Sequence, residues 1–433
     1  MYRRRERLIL LKAFATASFC FLLPILRVHA GEDGLIASPE KGWPQWRGIR
    51  RDGISDEKNL LASWPAEGPK LLWKFSELGR GWSSPIIVGD SIYITGDVAG
   101  EVGIFCLDLQ GKQKWKAANG SAWMKQYPGS RASCAYSEGV VYHMNGFGRV
   151  AAYDAASGKE LWNNNVLKTF ESATNIWGLS ECLLIDGPRV IVTPGGPKTL
   201  MAALDKKTGA TVWTSEPIPA EKAAYSSPIL FSLGGRRIIA NCSSRFGFGV
   251  DADTGKLLWK VPNENRWGAT CCAPILADRS IFYSAPDGPC GVMFNLKSDG
   301  DTFNADVAWR TQVDPLTGSG ILMDGLLFTS GCKKSTSLHA LDVKTGESRY
   351  EIKVSTPTNN HATAAMVWAE GRLYTLFENG IVQLLKPAGD KFEVAGQFKL
   401  IEKTTEAWAH PVLLDGRLYL RHHETLWCYD VRQ

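Results

Sequence analysis

The sequence predicts an all-β fold, an eight-bladed β-propeller of four-stranded antiparallel blades, and three observations lead there. The first is a repeat. Residues 154–162, 205–213, 251–259 and 342–350 each run from an Asp to a Trp or Tyr at one spacing, with Ser-Gly or Thr-Gly inside, and the stretch ending at Trp115 is the same unit one residue shorter. The second is the chemistry of that unit. An Asp carboxylate caps turn N–H groups, a Gly takes positive φ, and the aromatic four residues on lies on the returning strand, so each unit is a tight hairpin. The third is the period. The closing aromatics Trp73, Trp115, Trp162, Trp213, Trp259, Trp309, Tyr350 and Phe398 lie 42, 47, 51, 46, 50, 41 and 48 residues apart. A unit of that length is one small sheet, which buries both faces only when neighbours stack on it, and eight marks give eight blades with the large aromatics between them.

Taken in order, residues 1–30 read as a secretory signal. Arg3, Arg4, Arg5, Arg7 and Lys12 form the charged region, residues 13–26 the apolar one, and Val28-His29-Ala30 the small residues before a cut. Pro24 interrupts an apolar run already short for a membrane span. Residues 31–69 are polar, rich in Gly and Pro, and contain Trp43-Pro44-Gln45-Trp46-Arg47-Gly48 and Arg51-Asp52-Gly53. They are expected to form an extended arm whose Trp residues pack on the propeller surface. Residues 70–433 hold the propeller. Blade 1 needs strands near 84–88, 91–95, 104–107 and 112–116, and later blades repeat the pattern. The last unit has three strands only, so the orphan strand at 71–75 is expected to complete it and close the ring, which removes exposed sheet edges. On this reading, losing residues 70–76 damages folding more than losing 31–60.

Removing residues 1–30 takes away six Lys or Arg and one Glu and leaves 43 residues of each sign. A neutral mature chain with no basic run gives no electrostatic case for nucleic-acid binding, and none is expected. Nine cysteines follow Cys20, an odd number, so at least one thiol stays free or pairs outside the chain. Neither Cys-x-x-Cys nor Cys-x-x-Cys-His occurs, which removes the sequence support for zinc and covalent haem. The adjacent Cys271 and Cys272 can close only a strained eight-membered ring, and two reduced thiols are the alternative.

The unit Ala203-x-Asp205-x-x-Thr208-Gly209-x-x-x-Trp213 resembles the tryptophan-docking motif of the PQQ-like propeller repeat family, the quinoprotein alcohol dehydrogenase-like superfamily, over about residues 70–431. The arm, Trp177-Gly178-x-x-Glu181, Thr193-Pro194-Gly195-Gly196 and Trp408-x-His410-Pro411 resemble secreted bacterial propellers of this kind. The fold is also similar to that of the propeller lipoprotein of outer-membrane-protein assembly, which uses no quinone. For the dehydrogenases the resemblance implies PQQ and calcium. This chain lacks their large roofing insertions, its vicinal cysteines lie in the fifth unit rather than early, and their calcium-binding Glu and Asn and catalytic Asp find no matching positions.

In a propeller, the loops entering the innermost strands and those between second and third strands share one face and converge on a central funnel. That geometry selects Trp82, Arg131, Trp177, Tyr225, Trp267, His361 and His410, with Glu181 inside a strand and Arg245 and Asp287 on middle loops. Glu181 suits either a metal ligand or a structural acid bonded to nearby N–H groups. Arg131 and Arg245 suit a carboxylate clamp or inter-blade ion pairs. Trp177 or Trp267 could stack under a planar quinone or simply pack between blades. His361 and His410 suit a base or ligand, or a structural role. For a dehydrogenase, Asp287 is the candidate base near a substrate hydroxyl. The expected function is an exported, monomeric binding or scaffolding module that takes a protein or small ligand on the funnel. Its alternatives are a PQQ- and calcium-dependent alcohol or sugar dehydrogenase and a glycan-binding propeller.

Overall fold

A computed structural model describes residues 33–353, 363–402 and 406–433; the signal expected at 1–30 lies outside them. Among the described residues there are eight antiparallel sheets, each built on four blade strands as the repeat predicts; six consist of four strands in sequence order, one gains a fifth strand from the arm, and the last takes its outer strand from the start of the ring. In blade 3 these are Leu184–Asp186, Arg189–Val192, Ala202–Asp205 and Thr211–Thr214. Lys70–Phe75 pairs with Thr425–Asp430 and supplies the fourth strand of blade 8, closing the ring as expected. Inner strands are covered on both faces, and Ala364–Ala369 is buried throughout. Outer strands present one face to solvent, so in Thr211–Thr214 Trp213 alone is buried.

The repeat works as a latch between blades. Asp205 Oδ1 accepts from Lys207 N, Thr208 N and Thr208 Oγ1, and these bonds hold the turn. Gly209 then sits at φ 71°, and a Cβ there would lie 2.5 Å from the ring of Trp162 in the preceding blade. Trp162 Nε1 donates to Lys206 O of the same turn at 2.9 Å. The Gly is therefore required twice, for its backbone and for the indole lying on it. Trp73 on Gly111, Trp115 on Gly158, Trp213 on Gly255 and Trp309 on Gly346 repeat the arrangement. Blade 5 ends in the long hairpin Cys290–Asp299 and Thr302–Thr311, without the short turn, so Trp259 donates to Tyr283 Oη instead.

The arm departs from the expected surface packing, because it enters the hub of the ring. Trp43 and Trp46 are 3% and 8% exposed. Gly34–Leu35 adds a fifth strand inside blade 4, against Ile229–Leu233. Trp43 N and O exchange bonds with Ile87 of blade 1, and Tyr136 N of blade 2 donates to Pro44 O. Arg51 donates to Cys182 O and Leu183 O of blade 3 and to Pro228 O at the start of blade 4. Arg47 donates to Ser319 O and Gly320 O of blade 6. Asp33 pairs with Arg279 of blade 5, Ile54 bridges Trp368 of blade 7, and Ser55 Oγ donates to Leu413 O of blade 8. One segment thus touches every blade. The guanidinium suits this role because five donors in a fixed fork satisfy several converging carbonyls at once.

Candidate ligand-binding funnel

The blade-entry loops converge, as propeller geometry requires, around a cavity of about 420 Å³ on the axis. Trp82, Arg131, Trp177, Tyr225, Trp267 and His410 line it, and Asp287 does so from the middle loop of blade 5. Glu181 and Arg245 do not. Glu181 lies on the loop entering Leu184–Asp186 and not inside a strand as expected; it is buried behind the wall and accepts from Thr193 N and Thr193 Oγ1, both at 2.8 Å, the arrangement of a structural acid. Burial raises its pKa to about 7, against the pull of those bonds. Arg245 is paired with the buried Glu221 at 2.8 Å and donates to Pro219 O. His361 lies outside the described residues.

Among the wall residues that were not selected from the sequence, Trp46, Tyr127, Ile176, Lys333 and Trp408 have the largest side chains. Trp408 lies two residues before His410 in Trp408-x-His410-Pro411, and Lys333 lies on a middle loop like Asp287. Trp46 was hidden because only the arm's path brings it onto the axis. Its indole closes the cavity from the arm side, edge-on to the His410 ring at 5.2 Å, with the Arg47 and Arg51 guanidinium carbons each 5.6 Å from its centroid.

The wall is two-sided. Trp82 contacts Trp408 at 4.9 Å between centroids, Trp408 contacts Tyr127 at 5.6 Å, Tyr127 contacts Trp177 at 5.9 Å, and Trp177 meets Tyr225 and Trp267 at 5.7 and 6.3 Å. This aromatic crescent faces Leu316, Thr317, Asp287 and Lys333 on blades 5 and 6. Tyr127 holds φ 55°, unusual for an aromatic residue, and its carbonyl accepts from Arg131 Nη2. Arg131 is the charged group within the crescent. Its guanidinium lies on the rings of Trp82 and Trp123 at 5.3 and 5.8 Å, and burial lowers its pKa to about 10, so it stays cationic. Behind it, burial raises Asp97 to about 7, opposed by Arg131 and Arg421. Neither Asp97 carboxylate oxygen has a hydrogen bond. Asp287 is held below the usual carboxylate range, chiefly by its bond to Lys333, which makes it a weak base. Burial pushes His410 down to about 3, so its ring is neutral. Cys271 reaches the wall as a half-buried thiol with its pKa raised to about 12 by burial, and Cys272 is buried with its Sγ against the carbonyls of Leu316 and Gly318; both are free.

The family model described as PQQ_2, outer membrane protein assembly factor BamB, matches residues 98–348 and 250–433. The chain belongs to this family of PQQ-like propellers. Among curated proteins it is 26% identical over 219 residues to quinohemoprotein alcohol dehydrogenase ADH IIB of Pseudomonas putida, covering 48% of this chain and 28% of that one. It is 30% identical over 146 residues to a 1-butanol dehydrogenase (quinone) of Thauera butanivorans, covering 31% and 23%. The chain thus spans about a quarter of these relatives' length. BamB of Moraxella catarrhalis shares the fold with a TM-score of 0.52 at 16% identity, over 80% of this chain and 94% of that one. Quinohemoprotein alcohol dehydrogenase of Comamonas testosteroni does so with a TM-score of 0.61 at 14% identity, over 90% and 80%.

The dehydrogenase relatives raise the question of a quinone with calcium. The crescent offers aromatic faces of the kind a planar ring would pack on, and Arg131 is the cation on it that one carboxylate would meet. The metal does not fit: among the described residues no group of three His, Cys, Asp or Glu side chains is placed to hold an ion. Glu181, the candidate ligand, points its oxygens at Thr193 instead.

Proposed function

We propose that this propeller is an exported, monomeric binding module in the periplasm or extracellular space, which takes an apolar anchor of a partner protein into its funnel. The observation that carries this reading is the mouth of the cavity. Met124, Ile176 and Trp267 are 65%, 52% and 45% exposed and lie on the loops that build the crescent. Large apolar side chains grouped on one rim above a concave pocket are typical of interaction sites. The other exposed large apolar residues, Leu71, Leu161, Val212, Val307 and Val394, are spread over outer strands of different blades and form no common site. Among the described residues no helix is long and apolar enough to cross a membrane.

A photo-crosslinking residue at Met124, compared with one at Val212, tests this in the living cell. One discrete adduct is expected from position 124, none from 212, and loss of the adduct when Ser180→Trp fills the cavity. Equal labelling from both positions refutes the reading. Titration with PQQ and calcium, followed by tryptophan quenching and dye reduction with alcohols and sugars, tests the dehydrogenase alternative; saturable binding with turnover would replace the binding-module reading.

A further inference from the structure

Resting on the funnel reading, the charges around the mouth specify the partner further. The cavity wall carries Arg131 and Lys333 against Asp287 alone. Lys125 adjoins Met124, Arg266 adjoins Trp267, and Lys334 adjoins Lys333; all three are exposed. Lys125 lies 5.4 Å from the Trp123 ring and Arg266 4.7 Å from the Trp267 ring, so both cations sit on the same aromatic loops as the apolar residues. The nearby acids are mostly engaged. Asp287 is bonded to Lys333 and 3.7 Å from Arg266, Glu378 is bonded to Trp408 Nε1 and Thr363 Oγ1, and Glu406 lies 3.8 Å from Arg80. Glu264, beside Asn265, is the exposed acid next to Arg266, and Glu77, Glu171 and Glu216 are exposed at the far ends of the loops that carry Trp82, Trp177 and Tyr225, Glu171 being paired with Lys198. Arg131 uses two of its nitrogens on the carbonyls of Gly129 and Tyr127 and, among the described residues, forms no ion pair within 4 Å, which leaves donor capacity on a partly desolvated cation.

We infer that the funnel receives an acidic segment of a partner protein, in which one bulky apolar or aromatic side chain enters the crescent and flanking Asp or Glu side chains meet Arg131, Lys125, Arg266 and Lys334. The cavity is of the size that encloses a small ligand or a few side-chain groups. Apolar anchoring supplies affinity, and the cationic rim supplies orientation and a salt-sensitive association rate. The mature chain is neutral overall, so this is a local field and not a general attraction to polyanions.

Fluorescein-labelled pentapeptides and the whole mature chain test it. Asp-Glu-Phe-Asp-Glu is expected to bind saturably, about tenfold tighter than Gln-Gln-Phe-Gln-Gln, and Lys-Lys-Phe-Lys-Lys more weakly still. Arg131→Met should lower affinity for the acidic peptide about tenfold. Because Arg131 also braces Tyr127, the exposed double variant Lys125→Glu/Lys334→Glu is the control that leaves the fold alone; it should weaken acidic binding several-fold and flatten its salt dependence. Equal binding of the Gln and acidic peptides overturns the inference while the funnel reading stands. Equal binding when Ala replaces Phe, or no binding by any peptide, overturns both. Preference for oligogalacturonate, which brings carboxylates without an apolar anchor, replaces the protein partner with an acidic glycan.

Discussion

The rim and the hub of this ring are held by different kinds of bond. At the rim, five blade junctions use the same latch, a Trp lying on the turn Gly of the next blade and donating to a carbonyl of that turn. At the hub nothing repeats. Arg47 reaches residues 272 and 273 positions away, and Arg51 reaches residues 131, 132 and 177 away. A rim junction is a nearest-neighbour term, so damage there should stay between two blades, whereas a hub contact ties distant blades and its loss should be felt by the whole ring.

Deleting residues 33–57 should break this comparison open with the largest effect. It uncovers inner-strand groups in many blades, and loss of cooperative unfolding by calorimetry is expected. A larger effect than that of deleting residues 70–76 would reverse the ranking expected from sequence, in which losing 70–76 damages folding more than losing 31–60. Next comes Arg51→Met, which leaves Cys182 O, Leu183 O and Pro228 O without their donor; a loss of about 3–5 kcal/mol is expected in urea unfolding. Arg51→Lys should recover little of it, since an ammonium cannot span the same fork. At the rim, Gly209→Ala drives a Cβ against Trp162 and should cost about 2–3 kcal/mol, whereas Gly89→Ala, at φ 59° with open space around it, should cost about 1 kcal/mol. If the two cost the same, backbone strain alone explains the glycines and the latch is decorative.

The smallest effect concerns pH. Asp97 has its folded pKa raised to about 7 above an unfolded value near 3.8, so between these limits the native state holds more protons than the unfolded one. Its contribution therefore makes stability fall as pH rises through that window and level off above it. Melting temperatures of Asp97→Asn and the natural chain should converge toward pH 4 and separate toward pH 7, with Asn the more stable. Divergence in the other direction would mean that the Arg131 and Arg421 charges outweigh burial.

Legibility followed the same division. The eight blades, the closing strand and most of the funnel could be read because each depends on a short motif or on a position relative to an inner strand, and both recur. Trp82, Arg131, Trp177, Tyr225, Trp267 and His410 were found by that rule, and the structure brings them to one cavity. Glu181 was misplaced toward the funnel because the facing of residues on the extended loop that enters an inner strand cannot be phased from a motif alone: Ser180 and Cys182 line the cavity and the residue between them does not. Trp46, Arg47 and Arg51 were visible as a motif but not as a hub, since their partners are backbone carbonyls, which carry no sequence signature.

The arm also imposes an order of events on the making of the molecule. It is synthesised before any blade, yet its seats extend from Ile87 to Leu413, so the last of them exists only after nearly the entire chain has emerged. The earliest segment must wait for the latest, a contact of very high sequence separation and correspondingly slow to form. Because Trp46 closes the cavity from the arm side, a ring caught before that final docking has a bottomless funnel. On the proposed reading, competence to bind is then acquired in the last step of assembly.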